Sequence, residues 1–243
     1  MLTRLRRLLG IAKALPGRVA KPGPMDYKFV WDQAAAADAH DAILTGSTAE
    51  SFESSGQSDA AMVGRYLRGE DVVLNIGCGV GRVERYLAPM VRELWAVDVS
   101  GEMLRLARKR LEGRPNVHLR EVGNRDFLSS FEAERFGLVF SFLVLQHLEK
   151  EDAFLYLSDA WRVLKPGGAL VTQFPNYLSP AYTRAFVEGA AVAHRSPGRV
   201  RASTEAEVRH TLAILDFEIA DLWYGGHGEA TAEIYVAARK PGQ

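Results

Sequence analysis

Cysteine is nearly absent from this chain, with Cys78 the only one in 243 residues. A single thiol cannot close an intrachain disulfide or assemble a cysteine zinc site, so the expectation is no metal centre. An excess of either charge is missing too, because thirty basic residues balance thirty acidic ones. Without a basic field there is nothing to gather nucleic acid, and no aromatic-and-basic RNA surface is visible. No apolar run reaches the ~20 residues that a membrane span requires. Internal repeats and long low-complexity tracts are also lacking. These absences lead to the expectation of a cytoplasmic globular protein.

What remains is 47% apolar and 25% charged, the usage of a folded chain, at a length that suits one α/β domain with a short appendage. Residues 1–24 read as a basic amphipathic segment and linker. Arg4, Arg6, Arg7, Lys13, Arg18 and Lys21 precede the first acid, Asp26. Leu2, Leu5, Leu8, Leu9, Ala12 and Leu15 recur at helical steps. Two readings stay open there: a helix lying on an anionic membrane surface, or a terminal helix with a solvated basic side. A secretory signal fits poorly, since Lys13 interrupts the apolar stretch and no small-residue cleavage site follows.

Residues 25–70 read as helix in pieces, with Ala34 to Ala37 favouring helix and Gly46-Ser47 and Ser54-Ser55-Gly56 interrupting it. From Asp71 the pattern changes. Short β-rich runs at Val72 to Ile76, Leu94 to Asp98, Val117 to Val122, Leu138 to Phe142 and Ala169 to Phe174 come into view. Helical stretches at Val80 to Met90, Glu102 to Leu111 and Asp152 to Leu164 alternate with them. Such alternation predicts right-handed βαβ units and a parallel sheet covered on both faces. A helix after Thr204 and a closing hairpin, Phe217 to Trp223 and Ala232 to Ala238, complete the pattern.

The densest signal is Val72-Val73-Leu74-Asn75-Ile76-Gly77-Cys78-Gly79-Val80-Gly81-Arg82, a buried strand that runs into three alternate glycines. Glycine tolerates positive φ and lets a ligand approach the backbone. A dinucleotide fingerprint would need its third glycine at position 82, which is arginine, and no G-x-x-x-x-G-K-[ST] phosphate loop occurs. The next run ends on Asp98, an acid at the carboxyl end of a strand, where ligands bind in open parallel sheets. Asp98 reads either as a helix cap or as an acceptor for both hydroxyls of a ribose. Ser100, with Glu102 and Met103 in the first turn, serves better as the cap and leaves Asp98 for a ligand.

With Val97-Asp98-Val99-Ser100 and the turn Arg162-Val163-Leu164-Lys165-Pro166-Gly167-Gly168, the sequence resembles the class I S-adenosylmethionine-dependent methyltransferase family, small-molecule type. The resemblance covers residues 71–240 and keeps the motifs in order. It implies a Rossmann-like doubly wound, mostly parallel seven-stranded sheet with helices on both faces and an N-terminal helical extension. The last strand would be antiparallel and inserted between two earlier ones. It implies S-adenosyl-L-methionine as cofactor and methylation of a small molecule or sugar, expected at a hydroxyl. By the same resemblance Gly77, Gly79 and Gly81 would pass under the cofactor, Asp98 would hold its ribose, and Met103 would pack on its adenine. Asn124 and Arg125 would sit near the adenine edge, with Phe142 and Leu143 facing the methionine portion. Two departures stand out: Asn75 replaces the family's acid two places before the loop, and Phe136-Gly137 replaces its usual Phe-Asp. N- or C-methylation by the same fold, a nucleotide-binding oxidoreductase, and a non-catalytic adenosyl-ligand module stay open as alternatives.

His147, after the fourth strand, has two open readings: general base for a hydroxyl acceptor, or a residue that fixes its loop. His40, His194 and His227 are further histidines without a specific signal, and Asn176 and Tyr177 are candidate acceptor contacts. In this family an N-terminal segment such as 25–70 often closes over the cofactor as a lid. Tyr27 and Trp31 share one helix face and suit that role, with ordinary packing the other reading. The stretch from Pro175 to Ser203 is where the acceptor would be selected, and its Arg195, Arg199 and Arg201 would either meet an acidic acceptor or remain solvated.

Overall fold

The computed structural model describes residues 26–69, 71–123, 128–190, 199–226 and 229–242. The expectations placed on residues 1–24, Asn124, Arg125, His194, Arg195 and His227 lie outside those residues. Seven strands form one sheet: β1 (Val72–Ile76), β2 (Glu93–Asp98), β3 (Val117–Glu121), β4 (Phe136–Ser141), β5 (Leu164–Pro175), β6 (Glu218–Gly225) and β7 (Glu233–Arg239). Their order is β3-β2-β1-β4-β5-β7-β6, and β7 alone runs antiparallel to its neighbour β5 within the parallel set. The closing hairpin is β6–β7, with β7 inserted between β5 and β6. The sheet is therefore the doubly wound, seven-stranded one that the motifs imply.

Residue type explains each layer. All five residues of β1 are buried, as expected of a β-branched run in the middle of a sheet covered on both faces. Leu74 and Ile76 join one apolar cluster with Phe136, Val139 and Leu164. Val73 joins the opposite cluster with Leu138, Phe140 and Val171. That division follows the period-two alternation of a strand.

The helices are α1 (Tyr27–Ile43), α2 (Ala49–Gly64), α3 (Glu84–Leu87), α4 (Gly101–Arg110), α5 (Lys150–Val163), α6 (Pro180–Ala190) and α7 (Glu205–Ile214). Ser100 caps α4 by accepting from the Met103 amide, as the sequence predicts. Thr204 and Glu207 form a reciprocal capping box on α7. α1 breaks at Asp38, whose Oδ1 accepts from the His40 and Asp41 amides at 3.0 Å and so restarts the helix.

Two local expectations change. Ser54-Ser55-Gly56 does not interrupt the chain but lies inside α2. Small residues are needed there for close approach, because a Cβ on Gly56 would sit 2.6 Å from the Arg82 carbonyl oxygen. The helix expected from Val80 begins only at Glu84. Gly79 and Gly81 take φ of +52° and +80°, which a right-handed helix cannot include, so the chain stays in turns until Val83.

Candidate active site

A cleft of about 900 Å³ opens at the carboxyl ends of β1, β2 and β4, where the strand order reverses. Asn75, Gly77, Gly79, Asp98, Met103, Phe142 and Leu143 line it, and so do Tyr27, Trp31 and Ile43 from α1. Gly81 is not on the wall. A Cβ there would press on Leu111, so its place is in packing the turn against the end of α4. Gly77 and Gly79 differ from it in facing the cleft. At Gly77 a Cβ would fall 2.2 Å from Val144 Cγ2, and at Gly79 2.8 Å from Ile43 Cδ1.

Asp98 is buried beside this turn. Its Oδ2 accepts from the Gly79 amide at 2.8 Å and its Oδ1 from the Ser100 amide at 2.9 Å. A carboxylate has about four lone-pair positions, so two remain for a diol. Burial pushes the Asp98 acid up to about 6, and the hydrogen bonds from Ser100 and Gly79 pull the other way. The same burial, strongest cause again, pushes Glu84 up to about 7. Glu84 is fully buried behind the turn and accepts from Asn75 Nδ2. Arg82 also lines the cleft, and its guanidinium is engaged by α2, with Nη1 donating to Ser55 Oγ at 2.9 Å and Nη2 paired to Asp59 at 2.6 Å.

α1 is tied over the cleft at both ends of its first half. Tyr27 donates to Asp152 Oδ2 at 2.7 Å and accepts from the Glu149 amide at 3.0 Å. Asp32 accepts from Ser100 Oγ at 2.6 Å, which fastens the helix to the start of α4.

His147 lies in the turn after β4 and does not itself form the cleft wall; its ring meets the wall residue Trp31 edge-on at 4.9 Å between centroids. Its Nε2 is 3.1 Å from Gln146 Nε2, and its carbonyl accepts from Arg201 Nη1 at 2.8 Å. Gln146 continues into a buried network: Gln173 Nε2 donates to Gln146 Oε1 and to Glu233, while Gln173 Oε1 accepts from the Leu143 amide at 2.9 Å. Leu143 is held at φ +59°, a strained value for a side-chain-bearing residue on the cleft wall.

Other sequence candidates fall elsewhere. His40 stacks on Phe52 at 4.3 Å. Asn176 donates to the Thr231 carbonyl, and Tyr177 packs edge-on against Phe186. Gly137 makes room for Asp71, whose Oδ1 would lie 2.2 Å from a Cβ there, so that departure is one of local packing. Sequence reasoning missed Glu84, Gln173, Glu233 and Tyr156. Glu84 stands between Arg82 and Arg85, so no local pattern singles it out, and the other three are placed only by contacts distant in sequence.

This geometry can hold a nucleoside. The acid offers free lone pairs, two wall glycines carry no Cβ, Met103, Val99 and Val122 give apolar walls, and Asn75 Oδ1 is buried without a partner. Among the described residues no helix is long and apolar enough to cross a membrane.

Comparison with known proteins agrees with that chemistry. Residues 73–168 match a family model described as a methyltransferase domain. A protein of Mycolicibacterium smegmatis named as a probable S-adenosylmethionine-dependent methyltransferase is 30% identical over 162 residues, covering 67% of this chain and 58% of that one. The ubiquinone biosynthesis O-methyltransferase of Xanthomonas oryzae is 29% identical over 126 residues, 51% of this chain and 52% of its own length. Magnesium protoporphyrin IX methyltransferase from Synechocystis, solved with bound SAH, shares the fold with a TM-score of 0.61 at 17% identity, covering 98% of this chain and 94% of that one. The chain spans 38–41% of the length of the first curated relatives it matches. In its motifs, their order and its sheet topology, the chain belongs to the class I S-adenosylmethionine-dependent methyltransferase family.

Proposed function

We propose that this chain transfers the methyl group of S-adenosyl-L-methionine to a hydroxyl of a small molecule, a sugar or another compact scaffold. The observation that carries the reading is the buried Asp98 carboxylate, set against the Gly79 amide at the rim of an apolar cleft. Bound there, the cofactor would supply an activated methyl, which leaves the protein to align and to exclude water. In this reading Asp98 takes the ribose hydroxyls and Gly77 and Gly79 let the ligand lie on bare backbone, while Gly81 sets the turn. Met103 packs on the adenine, and Phe142 and Leu143 flank the methionine portion. Residues 25–70 act as the lid, since α1 supplies Tyr27, Trp31 and Ile43 to the cleft wall. A relative named for O-methylation supports the choice of a hydroxyl.

His147 is proposed to take the proton of that hydroxyl. The competing role, fixing the loop, is favoured by its contacts with Gln146, Trp31 and Arg201, which occupy the ring and the backbone together. Incubating the full chain with methyl-labelled cofactor and a panel of hydroxyl, amine and carbon acceptors tests the reading by mass spectrometry. Label on a hydroxyl product supports it. Label only on nitrogen or carbon refutes the acceptor assignment, and no transfer to any acceptor by a chain that binds the cofactor favours the non-catalytic alternative.

A further inference from the structure

Arg201 is not a solvated surface residue, for its side chain is only 9% exposed. Its Nη1 donates to the His147 and Arg199 carbonyls at 2.8 and 3.0 Å, and its Nη2 pairs with Glu149 at 2.5 Å. Nε is buried and donates to nothing. A buried guanidinium N–H without an acceptor is unfavourable, because the donor has left water and gained no partner.

Charge around it is not balanced either. Arg199 Nη2 lies 3.6 Å from the same Glu149 oxygen, so two guanidinium groups share one carboxylate. The hydrogen bond from Arg201 holds that carboxyl below its ordinary range, so it is ionised at neutral pH and one positive charge is left over. Lys150 and Glu207 pair with each other at 2.5 Å and add no net charge.

Arg201 lines a second groove, of about 660 Å³, between α5 and α7. That volume is ample for a small ligand. Leu145, Leu157, Phe174 and Val208, each at most 8% exposed, make its apolar wall. Leu148 is the one residue that it shares with the cleft, so the two cavities are distinct and meet at the turn that carries His147.

We propose that this groove is a second ligand site and that it takes a small carboxylic acid with an apolar body. The carboxylate accepts from Arg201 Nε and balances the spare charge, while the body lies on Leu145, Leu157, Phe174 and Val208. One open N–H and one unbalanced charge suit a monoanion better than a phosphate monoester, which carries nearly two charges. The site is independent of what the cleft holds, and no methyl transfer is assigned to it.

The test titrates octanoate, octan-1-ol and acetate into the full chain and into two variants, by calorimetry. Octanoate should bind the parent saturably and one-to-one. Octan-1-ol, which has the body without the charge, should bind about tenfold or more weakly, and so should acetate, which has the charge without the body. Arg201→Gln should weaken octanoate about tenfold or more and change octan-1-ol by less than about twofold. Ala153→Phe places a ring in the groove that Ala153 lines and should abolish octanoate binding. If Arg201→Gln does not fold, Ala153→Phe decides the location and the parent's preference for octanoate over octan-1-ol decides the charge. The proposal is overturned by any of four results: no saturable octanoate binding to the parent, octan-1-ol or acetate binding as tightly as octanoate, equal weakening of octanoate and octan-1-ol by Arg201→Gln, or unchanged octanoate binding in Ala153→Phe.

Discussion

The carboxyl of Asp98 is buried in a place where burial works against its charge, and the two amides that meet it offset only part of that cost. Raised from 3.8 to about 6, it keeps a proton in the folded chain at pH values where the unfolded chain has lost it. The stability it contributes is fully present below about pH 4 and is lost as pH rises through about 6. Ligand binding has the opposite sign, because ribose hydroxyls donate best to the ionised acid. Affinity for S-adenosylhomocysteine should therefore fall as pH drops below about 6, by up to about tenfold per unit. Asp98→Asn should abolish that particular dependence, which separates it from the titration of Glu84. Asp98→Ala should weaken binding by about 1.5–3 kcal/mol at neutral pH, measured by calorimetry on a folded variant. Unchanged affinity would remove Asp98 from the site. Gly79 makes a second case. At φ +52°, with Ile43 2.8 Å from any added Cβ, Gly79→Val should keep its circular dichroism spectrum and lose cofactor binding. A variant that binds and turns over normally would reduce the loop to a structural turn.

The turn after β4 depends on chain segments far from it in sequence. Gln146 and Gln173 are 27 residues apart, and Gln173 and Glu233 are 60 apart, yet they form one buried network behind Leu143 and His147. If His147 is the base, His147→Ala should lower turnover by roughly 10²–10⁴ with cofactor affinity almost unchanged. If it fixes the turn, melting temperature, affinity and turnover should fall together, and near-parental turnover with intact stability would exclude the base role. The sequence made the glycine turn and Asp98 legible because both end adjacent parallel strands and need only local pattern to be placed. Ser100 as a cap was legible for the same reason. The Asn75–Glu84 pair was not, since it depends on an irregular turn that Gly79 and Gly81 keep from becoming helix. Nor was the tie from Tyr27 to Asp152, which spans 125 residues and follows only from how α1 lies across the sheet.

Across the whole molecule, the reversal of strand order between β1 and its neighbours β2 and β4 creates the cleft, and α1 covers it. A ligand bound in this cleft would lie between the sheet and the helix, and binding it should hold the folded state together. At a free concentration one hundred times its dissociation constant, a ligand adds about 2.7 kcal/mol to stability. For a chain of this size that raises the melting temperature by roughly 5–10 °C. The central claim is that this cleft takes an S-adenosyl ligand and not a dinucleotide, whose fingerprint fails at Arg82. The measurement that tests it most directly is a calorimetric titration of the full chain with S-adenosylhomocysteine and, separately, with NAD. The account predicts saturable one-to-one binding of S-adenosylhomocysteine that Asp98→Ala weakens, and no saturable binding of NAD. Saturable binding of NAD with none of S-adenosylhomocysteine would contradict it.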